Sequence, residues 1–344
     1  MSRKDILLTF DYELFLGKRS GTIENCLIKP TQLLLEILTK HQAKGIFFID
    51  TLYLLRLEQE NTPACKKQLE TVLSQLHEIK NEGHTIGVHI HPHWLDAQYT
   101  AETNNWNGEI KTRFALSNLS DADKQTAISY SVNILQEFLE PDKPITYRAG
   151  GFYCQPFSSF SKYFEQHKIL IDFSVMRMFK SNGYQNLYAF DFTNPPEEFI
   201  YYFNEDPTVK VDSGKFTEVS INSFQLSGIA KIRNSIYYRL NKDKVDFLRI
   251  GDGSGSGNII SHVNDASIKR YIRNDQTFSI ELMNPIIADA YVSFLRKNDF
   301  VHFVSHPKSF TPIGLRSFDK FLDKIKLMEI EYDYTKIIAS RLSK

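Results

Sequence analysis

The chain alternates between short apolar runs that end in a polar residue and longer stretches with apolar residues at helical spacing. Ile6-Leu7-Leu8-Thr9-Phe10 is nearly continuous in apolar character and ends in Asp11-Tyr12-Glu13. Such a run is what a strand buried on both faces of a parallel sheet requires. The pattern recurs at Gly45-Ile46-Phe47-Phe48-Ile49-Asp50, at Thr85–Ile90, at Ile145-Thr146-Tyr147-Arg148, at 169–175 and at Phe300-Val301-His302-Phe303-Val304-Ser305. Between these runs, Pro30 is suited to a first helical turn, and Leu33, Leu34, Leu35, Ile37 and Leu38 form an apolar helical face. Helices are also predicted over about 65–81, 121–139, 156–166, 229–240, 285–296, 315–328 and 333–343, with Gly83 as the stop of the first. Strand followed by helix, three times within the first hundred residues, predicts α/β architecture with right-handed crossovers, as a barrel or a doubly wound sheet.

Two stretches depart from this rhythm. Residues 96–118 are polar and aperiodic and read as a long surface loop over the strand ends. Residues 180–267 carry short strand-like runs at 187–192, 199–203 and 216–221, then a helix, then Gly251-Asp252-Gly253-Ser254-Gly255-Ser256-Gly257. This glycine-rich tract fits neither GxGxxG nor GxxxxGK[ST] and reads as a flexible or ligand-covering loop. The segment as a whole reads as an insertion into a single barrel domain spanning 1–344.

Composition narrows the function classes. Basic and acidic residues balance at 41 each, which argues against a sequence-independent nucleic-acid binder. No run of about eighteen apolar residues occurs, so no transmembrane helix is expected. The start lacks the apolar core and cleavage site of a signal peptide, and a cytoplasmic location is the expectation. The three cysteines are widely spaced, which suits a reducing compartment and offers no CxxC metal framework.

The candidate chemistry gathers at the strand ends. Gly83–Trp94 holds four of the ten histidines. Extended chain puts His89, His91 and His93 on one face, but Pro92 cannot donate to a ladder and is expected to end the strand. A helical turn instead groups His89 with His93 and points His91 elsewhere. Either geometry brings at least two imidazoles to one point, as a metal or catalytic site needs. The other apolar runs end in Asp11 and Glu13, Asp50, Arg148, Asp172 and His306. In β/α barrels the reacting groups sit at the carboxyl ends of the strands, so these side chains are predicted to converge. His302 alternates with apolar neighbours and reads as structural.

Five stretches, in order, resemble the polysaccharide deacetylases, the NodB-homology or carbohydrate esterase family 4 enzymes. They are Thr9-Phe10-Asp11-Tyr12-Glu13; His89 and His93, four apart, as in an HxxxH metal motif; Arg148-Ala149-Gly150-Gly151-Phe152; Asp172-Phe173-Ser174; and Ser305-His306-Pro307. The resemblance spans about 5–175 and 280–310 and implies a distorted seven-stranded β/α barrel. It also implies a divalent metal ion, zinc first with cobalt, nickel or iron as alternatives, held by Glu13, His89 and His93. Asp11 is then the base, Arg148 its orienting partner, His306 the general acid and Asp172 the group that holds His306, with backbone N–H groups near Gly151 or Phe152 facing the oxyanion. Three features depart from the family pattern: Tyr12 stands where the usual metal-binding acid would be, Gly150 replaces a common proline, and His91 has no counterpart.

The activity implied is removal of an N-acetyl or O-acetyl group from a sugar. The expected substrate is a nucleotide- or lipid-linked precursor in surface-polysaccharide biosynthesis. Alternative readings are an allantoinase-like hydrolase of a small cyclic or linear amide, sometimes without metal, and a barrel that binds carbohydrate without catalysis. An amidohydrolase-type site on His89-x-His91 would need later ligands, for which Asp172 and His262 are poor candidates.

Overall fold

The computed structural model describes residues 3–108, 113–183, 188–254 and 276–343. A nine-stranded sheet forms its centre. Its strands are β1 (Lys4–Tyr12), β2 (Ile46–Asp50), β3 (Thr85–Ile90), β4 (Ile145–Ala149), β5 (Ile169–Asp172), β6 (Ile200–Phe203), β7 (Phe216–Val219), β8 (Phe300–Ser305) and the short β9 (Ile330–Glu331). They lie in the order β6-β7-β5-β4-β3-β2-β1-β8, with β9 against the start of β1. Along that path, β7, β5, β4, β3, β2, β1 and β8 are seven mutually parallel strands, and β6 adds to the edge antiparallel to β7. This is the distorted β/α barrel expected from the sequence. All nine residues of β1 are buried, as its apolar run requires of a central strand covered on both faces.

The outer layer consists of α1 (Lys29–Lys40), α2 (Thr51–Glu60), α3 (Pro63–Asn81), α4 (Asp121–Ile134), α5 (Ser161–Gln166), α6 (Gly228–Asn241), α7 (Pro285–Lys297), α8 (Pro312–Ile325) and α9 (Tyr334–Leu342). Capping fixes several of their starts: the Thr62, Ser120, Asn284 and Thr311 side chains each accept a backbone N–H of the following first turn. Gly83, at φ +79, ends α3 in the left-handed region that glycine enters without a Cβ clash.

The curled sheet is sealed by a side chain. Asn222, just after β7, accepts the His302 backbone N–H at 2.8 Å and donates to the Phe300 carbonyl at 3.3 Å. One amide thus ties the chain just after β7 to β8.

Some boundaries differ from the sequence expectation. The helix expected over 121–139 stops at Ile134 and continues as turns. The helix expected over 156–166 begins as a single turn at Phe157–Ser159 and is broken at Phe160, whose φ of −137 is not helical. Part of 96–118 folds into a small hairpin, Gln98–Thr100 with Asn105–Asn107, that packs Trp106 edge-on against the buried Trp94. β6 and β7 fall inside 180–267 and join the main sheet, while 255–267 and His262 lie outside the described residues. Among the described residues, no helix is long and apolar enough to cross a membrane.

Candidate active site

Asp11, at the end of β1, and Arg148, in β4, are both buried. The guanidinium donates to Asp11 Oδ1 at 2.7 Å, to Thr9 Oγ1 at 2.8 Å and to the Phe173 carbonyl at 3.1 Å, and it stacks over the Phe48 ring. Its remaining neighbour is His302 Nε2 at 3.1 Å. Burial and the Arg148 charge hold the His302 pKa well down, so the ring is neutral; its Nδ1–H donates to the Ser220 carbonyl and Nε2 accepts. His302 is therefore part of the cradle that orients Arg148, and Arg148 in turn holds Asp11 Oδ1, leaving Oδ2 on the side of His306.

Glu13 lies two residues beyond Asp11. Its Oε2 is 3.2 Å from His89 Nε2 and 2.5 Å from His91 Nε2, and the two imidazole nitrogens are 2.9 Å apart. These three donor atoms form a buried group of metal-binding dimensions. The His89 Nδ1–H donates to the Arg148 carbonyl at 2.7 Å, which fixes the tautomer and leaves Nε2 as the lone-pair donor. The site attracts positive charge. Desolvation opposes protonation of His89, yet the carboxylates of Asp11, Glu13 and Asp50 outweigh it and lift its pKa to about 9. Burial pushes Glu13 up, but Lys308, His91 and the two histidine hydrogen bonds together hold it well below the usual carboxylate range. Two imidazole lone pairs and a carboxylate aimed at one point, beside further anionic side chains, fit a divalent ion of the zinc type.

His93 is not in this group. The chain turns at Pro92 into a short 3-10 helix, Pro92–Asp96, and carries the His93 ring between Trp94 and Phe114. His91, the last extended residue before that turn, stays on the His89 face. The period-two pair His89 and His91 thus faces Glu13, whereas His93, four residues beyond His89, lies apart from them with both ring nitrogens buried and unpartnered. Tyr12 points the other way, its hydroxyl donating to Gln75 at 2.8 Å, so Glu13 is the acid that faces the histidines.

Gly150 belongs to the same arrangement. A Cβ there would lie 2.5 Å from the Ile90 carbonyl oxygen and 2.9 Å from the His91 ring. The absence of a side chain at 150 thus makes room for His91, and these two departures from the family pattern are one steric event. Gly150→Ala is expected to destabilise the protein by about 1–3 kcal/mol, the usual cost of overpacking, and to push His91 off the Glu13 side. Urea unfolding and metal stoichiometry check the two effects.

His306 follows β8, with Nε2 3.5 Å from Asp11 Oδ2 and 3.7 Å from Glu13 Oε1, and its side chain is 27 % exposed. Glu281, not Asp172, holds its Nδ1, at 2.9 Å. Asp172 ends β5 in register with Glu218 of β7 and accepts from Ser174 at 2.5 Å. Burial raises Asp172 to about 6, and burial together with the Asp172 charge raises Glu218 well above normal. The sequence offered no periodic signal for Glu281, which lies in an irregular stretch before α7. Lys308, donating to Glu13 Oε1 at 2.7 Å and to the Leu14 carbonyl at 2.8 Å, was missed as well. Its only clue was position, two residues past His306.

Desolvation lowers the His306 pKa, but the Glu281 hydrogen bond with the Asp11, Glu281 and Glu13 charges raises it overall. A histidine with a folded pKa above its unfolded value of about 6.5 contributes stability below that pH, lost as pH rises through the folded value. Glu281→Gln should therefore move the alkaline limb of a pH–rate profile to lower pH. It should also remove part of the ~10²–10⁴ that general acid catalysis supplies.

Gly151 and Phe152, at φ +59 and +65, form a left-handed turn directly after β4. Phe114 lies against the Gly151 position, faces His91 and His93, and stacks on Tyr188 at 5.1 Å. Tyr188 in turn lines a groove with Ser117, Asn118, Gln155, Glu205 and Asp206.

The barrel has the fold of the polysaccharide deacetylases. No protein-family model matches the sequence, and no curated protein does. Among solved structures, the chain is similar to a Mycobacterium smegmatis protein whose name assigns it provisionally to the polysaccharide deacetylases. That superposition has a TM-score of 0.50 at 13 % identity and covers 100 % of this chain and 92 % of the other. It is also similar to the catalytic domain of a peptidoglycan N-acetylglucosamine deacetylase from Eubacterium rectale, with a TM-score of 0.39 at 11 % identity over 97 % and 90 % of the two chains. A family 4 carbohydrate esterase from Streptomyces lividans overlaps 50 % of this chain and 63 % of its own, with a TM-score of 0.29 at 14 % identity. The whole-chain superposition on the first of these establishes the shared fold.

Proposed function

We propose that the protein is a metal-dependent hydrolase that removes an acetyl group from an N-acetylated sugar, O-acetyl esters being the close alternative. The observation that carries this reading is the convergence of Glu13, His89 and His91 on one point beside Asp11 and His306. A divalent ion held by these three residues would lower the pKa of a bound water to about 7 and polarise the acetyl carbonyl. Asp11, held in place by Arg148, takes the proton of the attacking water. The backbone N–H groups at Gly151 and Phe152 face the developing oxyanion, a contact typically worth about 3 kcal/mol. His306 gives its Nε2 proton to the leaving nitrogen, and Glu281 holds the ring in position.

The polar groove beyond Phe114 and Tyr188 supports a substrate larger than a monosaccharide, such as a nucleotide- or lipid-linked glycan precursor. On this reading the protein acts in surface-polysaccharide assembly from the cytoplasmic side. The test is acetate release from a panel of N-acetylated and O-acetylated sugars and oligosaccharides by zinc- or cobalt-loaded protein. No release from any of them, with metal bound at about one equivalent, counts against the reading. Lys308 favours a second one: its ammonium already neutralises one Glu13 oxygen, as a metal-independent amidase of the allantoinase kind would need. Hydrolysis of a small amide that survives a chelator would select it.

A further inference from the structure

Helix α6 carries a surface that nothing in the hydrolase chemistry uses. Its 14 residues include no carboxylate, and its cations are Lys231, Arg233 and Arg239. Ala230, Asn234, Tyr237 and Asn241 form the inner side: Ala230 packs on the core, and Asn234 accepts from the Asn284 amide at 2.7 Å. The outer side is apolar. Ile229, Ile232, Ile236 and Leu240, spaced by three and four residues, line up in one row and are 73, 64, 54 and 72 % exposed. Val245 and Leu248 extend the apolar surface past the helix end, at 77 and 58 %. At 100° per residue, Arg233 and Arg239 fall on opposite flanks of the row, and Lys242 and Lys244 follow it with the acid Asp243 between them. Asp246 is turned aside into an ion pair with Arg316 at 2.6 Å.

We infer that this ridge docks the protein on an anionic membrane surface. A convex row of isolated branched side chains suits the boundary between headgroups and acyl chains, where each apolar group enters lipid and the flanking arginines meet phosphates. Pairing with a second copy is disfavoured, because a two-fold contact would set these arginine flanks against each other. The docked helix sits near the chemistry: Asn284, which holds α6, is three residues from Glu281, the partner of His306. The inference stands without the deacetylase reading, although a lipid-linked substrate would give such docking a purpose.

The experiment is co-sedimentation of the full chain with vesicles of phosphatidylcholine alone and with 30 mol %, roughly a third, of phosphatidylglycerol. Binding to the anionic vesicles only, weakened by salt within the range where surface charges are screened, is the expected result. Arg233→Ala/Arg239→Ala should weaken it about tenfold or more, and Ile232→Glu/Ile236→Glu should abolish it with the thermal midpoint unchanged. Three results would overturn the inference. They are no sedimentation with anionic vesicles at low salt, a parent dimer that the Ile232→Glu/Ile236→Glu change turns into monomer, or a large fall in thermal midpoint in that variant, which would place the row inside the chain's own core. None of these readouts depends on catalytic activity.

Discussion

His91→Ala is expected to lose tight binding of a divalent metal, while His93→Ala keeps it. The geometry gives the reason: His91 Nε2 lies within 2.5–2.9 Å of the other two donor atoms, whereas His93 is packed between Trp94 and Phe114. Loss of an outer partner of a ligand already costs about 10–100-fold in metal affinity, so loss of a direct ligand should cost at least ~100-fold. With activity in hand, kcat/KM should fall about 10³-fold, equivalent to roughly 4 kcal/mol of transition-state stabilisation. Elemental analysis after dialysis reads the first effect without any substrate. About one equivalent in the parent and in His93→Ala, with none in His91→Ala or His89→Ala, is the predicted pattern. The reverse, metal lost with His93 and retained without His91, would restore the HxxxH ligand pair and leave Gly150 with no part in shaping the metal site.

Arg148→Met is expected to cost both stability and activity. The guanidinium is fully buried and serves Asp11, Thr9, His302 and the Phe173 carbonyl together. Methionine fills much of the same volume but leaves Asp11 as an uncompensated buried charge, a loss of about 3–5 kcal/mol when one partner of a buried pair is removed. Asp11 would also lose the group that orients it, so that most of a typical ~10²–10⁴ general-base contribution disappears. Arg148→Lys should recover little, because a single ammonium cannot reproduce the planar fork that reaches four partners. Urea unfolding of the two variants beside the parent measures the first effect, and the pH dependence of kcat/KM measures the second. A stable Arg148→Met protein with unchanged pH dependence would show that Asp11 is held by something else.

Much of the barrel follows from local sequence. A run such as Ile6 to Phe10 has no polar side to offer water, so it must be a strand covered on both faces, and its polar terminus must lie at the strand end. That logic, repeated at Asp50, His89, Arg148, Asp172 and His306, puts the candidate groups at one end of one barrel. Helix starts were legible where a side-chain cap was present, as at Ser120. Other boundaries were less so: α4 stops at Ile134 and α5 starts only after Phe160, and neither place has a glycine or proline to mark it.

Pairings across the barrel were not legible, because sequence distance carries no information about which strand ends face each other. Asp172 and His306 both close a strand, yet strand order puts Asp172 against Glu218 and leaves His306 to Glu281, from an irregular stretch with no period to read. The histidine pair turned on one backbone decision at Pro92. An extended residue more keeps His91 with His89, and a residue fewer would have passed that position to His93. Gly150, just past the end of the neighbouring strand, permits the first arrangement, because its missing Cβ leaves space for the His91 ring. Hydrophobic pattern and residue chemistry thus determined the fold class, the end of the barrel that carries the site and most of its candidate groups. Which of those groups touch was decided only when the sheet curled and brought β1, β3, β4 and β8 to one side, because contact depends on packing between strands far apart in sequence.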